Sequence, residues 1–245
     1  MHSRRTRDAA SAMLARGRTI SETARALDVP RRTVQDWATG IPRREPACWR
    51  CDTAPTPDAD AYAALLGFYL GDGCVSEAAR CQVLRVSCDA RLPGIVDDVA
   101  ATVDRVRPGA TVHRVAGPGT TVVQSAWQHW GCVLPQHGPG RKHERPIVLE
   151  PWQVDLVHRA PAALLRGLLH SDGSRFTNTA TAPGRERTYS YSRWQFTNRS
   201  EDILGLCTWA LDLVEVPWRR SGPWTVSVSR RAGVARLDAL VGPKV

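Results

Sequence analysis

The sequence predicts an α+β protein built from a duplicated half that follows a small all-α module, and three observations carry that expectation. A nine-residue motif occurs twice, 100 residues apart. A strand, a helix and a further strand follow each copy in the same order. The first fifth of the chain is basic, helix-forming and patterned unlike the rest.

Of 245 residues, 33 are Lys or Arg and 24 are Asp or Glu, and 42% are hydrophobic, as in a soluble globular protein. No apolar run approaches the roughly 18 residues of a membrane span, and Met1 to Arg5 lead into no signal-like stretch. A cytoplasmic, nucleoid-associated protein with no membrane partner is expected. Seven cysteines, an odd number in a chain too large to need staples, suit reduced thiols. The charge is uneven: residues 1–50 hold 11 Arg against 5 acids, leaving a net of only +3 for the remainder. A basic block of this kind suits a polyanionic partner, because cations near phosphates release condensed counterions.

Residues 1–41 read as three short helices. The first runs from Thr6 to Arg16 and breaks at Gly17; the second covers residues 20–27 after Thr19 or Ser21; the third runs from Pro30 to about Thr39. The pattern resembles a helix-turn-helix. Ala24 permits a close crossing, while Ile20, Leu27, Val29, Val34 and Trp37 fill the buried positions. Asp28 stands where glycine is usual in the turn and tolerates unusual backbone angles better than most residues. Arg31, Arg32 and Gln35 then lie on the open side, where they can read guanine and adenine edges.

Residues 42–59 form a linker interrupted by Pro42, Pro46, Pro55 and Pro57. It contains Cys48-Trp49-Arg50-Cys51. A CxxC is half of a zinc site, so Cys48 and Cys51 are candidate structural Zn²⁺ ligands, with Cys132, His137 and His143 as conceivable further donors.

The duplicated motif reads Leu65-Leu66-Gly67-Phe68-Tyr69-Leu70-Gly71-Asp72-Gly73 in the first copy. The second reads Leu165-Arg166-Gly167-Leu168-Leu169-His170-Ser171-Asp172-Gly173. Small residues recur every fourth position, at Ala63, Gly67 and Gly71 and at Ala163, Gly167 and Ser171. Such stripes let two helix backbones approach closely, which brings Asp72 and Asp172 to one end of the pair.

These residues resemble the LAGLIDADG homing endonuclease family in its single-chain, two-motif form. The resemblance implies two pseudo-symmetric αββαββα halves, residues 60–150 and 151–245, joined at the motif helices and gripping double-stranded DNA with their sheets. It implies Mg²⁺ held by Asp72 and Asp172, with the carbonyls of Gly71 and Ser171 also contacting metal. Leu70 and His170 stand at a position that is acidic in the name-giving motif but varies among members.

The remaining elements fit that order. Val83 to Cys88 reads as a strand, Leu92 to Val106 as a helix with Pro93 in its first turn, and Thr120 to Ser125 as a later strand. Their counterparts are Ser192 to Asn198, Glu201 to Val214, and Trp224 to Ser229. The only two lysines, Lys142 and Lys244, lie 70 and 72 residues after the two aspartates, each just after a Gly-Pro. The resemblance implies a lysine beside the metal, where an ammonium of adjustable pKa stabilises charge or steers water. It also implies a polar residue after the central strand of each half: Asn198 fits, whereas Cys88 occupies the first copy. Gln195, three residues before Asn198, belongs to the opposite side of the strand.

The second hairpin is longer, since 24 residues separate Asp172 from Phe196 and only 14 separate Asp72 from Val86. It carries Arg175, Arg185, Arg187 and Arg193, and a basic loop carries Arg141; all five are candidate DNA contacts. The expected function is site-specific DNA binding, with a monomer of internal pseudo-twofold symmetry cutting both strands of a long asymmetric site. The competing reading is a DNA-binding transcriptional regulator whose LAGLIDADG domain does not cleave.

Overall fold

The computed structural model describes residues 4–39, 48–51, 56–181 and 188–245. It divides into two compact units, Met1–Cys48 and Trp49–Val245, with the boundary inside the CxxC turn.

The first unit holds α1 (Arg4–Ala15), α2 (Ile20–Ala26) and α3 (Arg31–Ala38). Thr19 and Glu22 form a capping box that satisfies the first amides of α2. Between α2 and α3, Asp28 adopts φ 51°, the left-handed turn that the sequence expects at that position. Ala24, Val29 and Val34 are buried together, with Leu14, Ile20, Leu27 and Trp37 packed against them.

The second unit repeats itself. Its first half contains α4 (Ala59–Leu70), β1 (Gly73–Ala78), β2 (Cys81–Asp89), α5 (Pro93–Val106), β3 (His113–Gly117), β4 (Thr120–Trp127) and the single turn α6 (Trp130–Val133). An additional helix, α7 (Pro151–Arg159), opens the second half ahead of its motif helix and was not expected from the repeat. That half contains α8 (Pro161–Asp172), β5 (Gly173–Thr181), β6 (Thr188–Thr197), α9 (Glu201–Leu213), β7 (Arg219–Gly222), β8 (Thr225–Val228) and α10 (Arg231–Val241). Both sheets are antiparallel, in the orders β1-β2-β4-β3 and β5-β6-β8-β7. The registers also match, with Gly73 opposite Val86 and Gly173 opposite Phe196.

One face of each sheet is apolar. Leu84, Val86, Val123 and Trp127 are buried in the first, beside Ile95, Val99 and Val103 of α5; Trp194, Phe196, Val226 and Val228 are buried in the second. The motif helices α4 and α8 pack at the centre, and glycine makes their spacing possible. A Cβ on Gly67 would lie 2.5 Å from the Leu164 carbonyl oxygen and 2.9 Å from Gly167 Cα. On Gly167 it would strike the Ala64 carbonyl, and on Gly71 it would strike Ser171. The backbones therefore touch through the predicted small-residue stripes. Cα positions that close leave no room for even a methyl group.

Candidate functional site

Each motif helix runs out at its aspartate. Asp58 caps the start of α4 by accepting a 2.7 Å hydrogen bond from the Ala61 amide, and the helix gives way at Gly71 just before Asp72. Proline opens α8, whose last residue is Asp172. Because the helices meet at Gly67, Gly167 and Gly71, both carboxylates emerge at the same end of the pair.

The two lysines take equivalent positions. Lys142 Nζ donates to the carbonyls of Tyr69 (2.6 Å), Gly71 (2.6 Å) and Gly73 (2.9 Å). Lys244 Nζ donates to those of Leu169 (3.3 Å), Ser171 (2.9 Å) and Gly173 (2.6 Å). Each ammonium thus gathers the carbonyls at the end of a motif helix, where the helix dipole favours positive charge. Lys142 is presented by a loop that Arg145 ties down through the carbonyls of Gly140 (2.9 Å) and Gln136 (2.8 Å). Lys244 is fixed although it is the penultimate residue, because the Val245 carbonyl accepts from the Ile95 amide at 3.0 Å.

The electrostatics are those of crowded charge. Asp72 keeps an exposed surface, yet desolvation by the atoms packed around it first, then the charge of Asp172, push its carboxyl up to about 6 against the two lysine charges. Asp172 is also raised by desolvation, against a hydrogen bond from Asn198 and the two lysine charges. Burial lowers Lys142 to about 8 despite both aspartates, and lowers Lys244 as well.

The halves differ beside the acids. Asn198 Nδ2 donates to Asp172 Oδ2 at 2.7 Å, while its Oδ1 accepts from the Ser200 amide at 2.8 Å, so the amide orientation is fixed from both ends. Cys88, at the matching register position, is buried, and desolvation pushes its thiol up to about 11. It borders a cavity of about 160 Å³ that Asp72, Phe68, His170 and Lys244 also line.

The acids and carbonyls offer hard oxygen donors, as Mg²⁺ requires. Each carbonyl that accepts from a lysine keeps a second lone pair, so the lysines leave ligation by Gly71 and Ser171 open. The donor set fits a divalent ion of this class.

Among the candidate DNA contacts, Arg175 is corrected. It lies on the helix-covered face of β5 and forms two 2.8 Å bonds with the Asp238 carboxylate of α10, which leaves it holding a helix rather than meeting a ligand. Arg193 is on the opposite face but is buried, with Nη2 3.0 Å from Ser227 Oγ. Arg141 is exposed. Arg185 and Arg187 fall outside the described residues. In the helical module Arg31 and Arg32 are exposed, Arg31 Nε donates to Ser21 Oγ at 3.2 Å, Arg32 pairs with Asp36, and Gln35 is half-buried.

Strand register places a row of mostly polar residues across each sheet, of which the sequence draws attention only to Gln195. Cys74, Arg85, Gln124 and His113 form one row across the first sheet, and Ser174, Gln195, Ser227 and Arg219 form its equivalent in the second. Both rows lie on the face away from the apolar core. Gln195 therefore faces this surface while Asn198, just beyond the strand, faces Asp172. As zinc donors, His137 and His143 are also corrected: they sit 3.6 Å from Glu77 and 3.8 Å from Glu144, respectively.

No helix among the described residues is long and apolar enough to cross a membrane. No family model matches the sequence, and no curated protein matches it. Solved structures similar to the chain include the homing endonuclease I-WcaI bound to its DNA recognition sequence. That match has 12% identity and a TM-score of 0.48, covering 79% of this chain and 85% of the other. I-DmoI in complex with DNA and Mn matches at 11% identity and a TM-score of 0.48, over 76% and 99% of the two chains. The LAGLIDADG meganuclease I-AabMI bound to uncleaved DNA matches at 14% identity and a TM-score of 0.42, over 73% and 82%.

Proposed function

We propose that the chain is a site-specific DNA endonuclease of the LAGLIDADG homing type, hydrolysing phosphodiesters with a divalent ion, Mg²⁺ by preference. One observation carries the reading: two aspartates end two glycine-packed helices, and each helix end is bound by its own lysine. A core needs neither acids at the end of its closest helix contact nor half-buried ammonium groups beside them. Bound metal supplies Lewis-acid activation of a phosphate oxygen and of water.

The chain's residues divide the remaining work. Asp72 and Asp172 hold the ion with the Gly71 and Ser171 carbonyls, and Asn198 holds Asp172 in one orientation. Lys142 and Lys244 keep positive charge beside the place where the phosphate gains negative charge. The open sheet faces supply polar rows for a DNA groove, with Arg141 for phosphate and Arg185 and Arg187 in the sequence between β5 and β6 as further contacts, while Arg193, buried against Ser227, braces the sheet behind them. The N-terminal module acts as a helix-turn-helix, with Arg31, Arg32 and Gln35 toward base edges. One chain contains both half-sites, which suits a monomer acting in the cytoplasm on nucleoid DNA.

The test is to select bound fragments from a random duplex library and incubate them with Mg²⁺, Mn²⁺ or chelator. Metal-dependent cutting of both strands is expected. Asp72→Asn and Asp172→Asn each remove a negative charge, so they should abolish double-strand cutting while keeping or strengthening DNA affinity. Tight specific binding without cutting in either metal would reject the nuclease in favour of a non-cleaving regulator.

A further inference from the structure

We propose that Cys48, Cys51, His129 and Cys132 form a closed, structural zinc site, separate from the nuclease centre. The CxxC turn contributes the first two ligands. The connection between β4 and α6 contributes the others, as a His-x-x-Cys that the sequence reading did not recognise because it considered only later histidines.

The distances suit a metal. Cys51 Sγ lies 3.4 Å from Cys132 Sγ and 3.6 Å from His129 Nδ1, and Cys132 Sγ lies 3.7 Å from the same nitrogen. With Zn–S of about 2.3 Å and Zn–N of about 2.0–2.1 Å, a tetrahedron needs S···S near about 3.8 Å and S···N near about 3.6 Å. The observed spacings fall close to both. A disulfide needs about 2.05 Å, well below the separation found. Cys48 supplies the fourth donor from the same turn, and the ligand atoms of all four residues lie within 4.8 Å of one another.

Neighbouring residues hold both turns in place. Trp49 packs edge-on against Tyr62 and Trp152, with ring centroids 5.7 and 5.0 Å away, and Arg50 stacks 4.5 Å over Trp152. On the other turn Trp130 Nε1 donates to the Ser125 carbonyl at 2.8 Å, and the Gly131 amide donates to Gln82 Oε1 at 2.6 Å. The His129 ring stands edge-on to Trp127 at 5.3 Å. Three thiolates and one imidazole are soft and borderline donors, which select zinc over Mg²⁺. Four protein ligands leave no open position, so the site is structural. Loading releases the thiol protons to solvent and takes the imidazole neutral. The zinc would staple the segment ahead of α4 to the end of the first sheet.

The experiment uses the full chain, purified in reductant. Elemental analysis should find one zinc per chain, released by a mercurial thiol reagent. Replacement with Co²⁺ should give the intense visible absorption of a tetrahedral thiolate site. Cys132→Ser should lose the zinc and lower Tm, whereas Cys132→His, which keeps a ligand, should retain it even if the serine variant misfolds. A zinc-free protein whose unmodified chain gives no Co²⁺ absorption would overturn the proposal. So would a Cys51–Cys132 disulfide in the reductant-purified chain, or zinc that persists when Cys51 and Cys132 are both replaced by serine. Metal-dependent DNA cutting is a separate readout, so failure of the zinc site and failure of the nuclease reading are distinguishable.

Discussion

At the residue scale, the site's two kinds of charge set opposite pH limits. Asp72 is pushed up to about 6, above its ordinary 3.8, so acid protonates it as pH falls through that value and, on the proposed function, would displace a divalent ion. Lys142 titrates near about 8, below its ordinary 10.5, so it loses its charge as pH rises through 8. Metal-dependent cutting should therefore climb toward neutrality and decline above it. A bound dication moves both limbs lower, because it favours carboxylate and disfavours ammonium. Since Lys244 is shifted in the same direction, the decisive variant is Lys142→Met with Lys244→Met. Its initial rates should be low and lack the alkaline limb, with DNA affinity less affected than rate; a persistent limb would assign that proton elsewhere. The acids and lysines were legible in the sequence because each pair repeats at nearly constant spacing. Asn198 was legible for the same reason, as the register equivalent of Cys88. Arg175 was misread because hairpin composition says nothing about which face a side chain takes, and the carboxylate that claims it lies 63 residues away at Asp238. His129 was missed because a single His-x-x-Cys gains meaning only when the fold brings it to the CxxC.

At the element scale, the contact between α4 and α8 makes a prediction whose sign is informative. In an exposed helix interior, Gly→Ala gains about 1 kcal/mol from helix propensity. At Gly67 and Gly167 the added methyl meets backbone of the other helix, which cannot rotate away as a side chain can. Overpacking costs about 1–3 kcal/mol where neighbours can shift, and a backbone collision belongs at or above the upper end. Gly67→Ala and Gly167→Ala should each lower the urea midpoint by an amount equivalent to about 3 kcal/mol, and they should weaken cutting because the aspartates separate. An unchanged or raised midpoint would mean that the helices are not in backbone contact. Much of the fold was open to reading at this scale. The expected strand Val83 to Cys88 lies within β2, helix Leu92 to Val106 differs from α5 by one residue, and Glu201 to Val214 differs from α9 by one. Alternation and turn residues mark such elements locally. The edge strand β3, exposed throughout, carries no apolar alternation to mark it. Helix α7 was hidden for another reason: the repeat has no second copy of it. Its Gln153 is buried between Gln136 and Tyr62, a polar network that only the tertiary structure reveals.

At the scale of the whole molecule, most of the charge and the duplicated core are carried by different units. Residues 1–50 hold most of the net positive charge, while the second unit holds both motif aspartates, both lysines and all eight strands found among the described residues. Removing residues 1–45 therefore deletes 10 of the 33 basic side chains and none of the duplicated core, and it leaves Cys48 in place. The shortened chain should stay folded, with a cooperative unfolding transition, since no element of the second unit is lost. DNA affinity should fall, and it should fall more at low salt than at high salt. Each phosphate contact contributes about 0.9 to the slope of log K against log[salt], so loss of even three contacts flattens that slope by about 2.7. Cutting at saturating protein should persist, because the acids and lysines are untouched. A folded truncation with an unchanged salt slope would show that Arg31, Arg32 and their neighbours do not meet DNA phosphates. The basic N-terminal unit would then have another partner, while the reading of the duplicated core would stand.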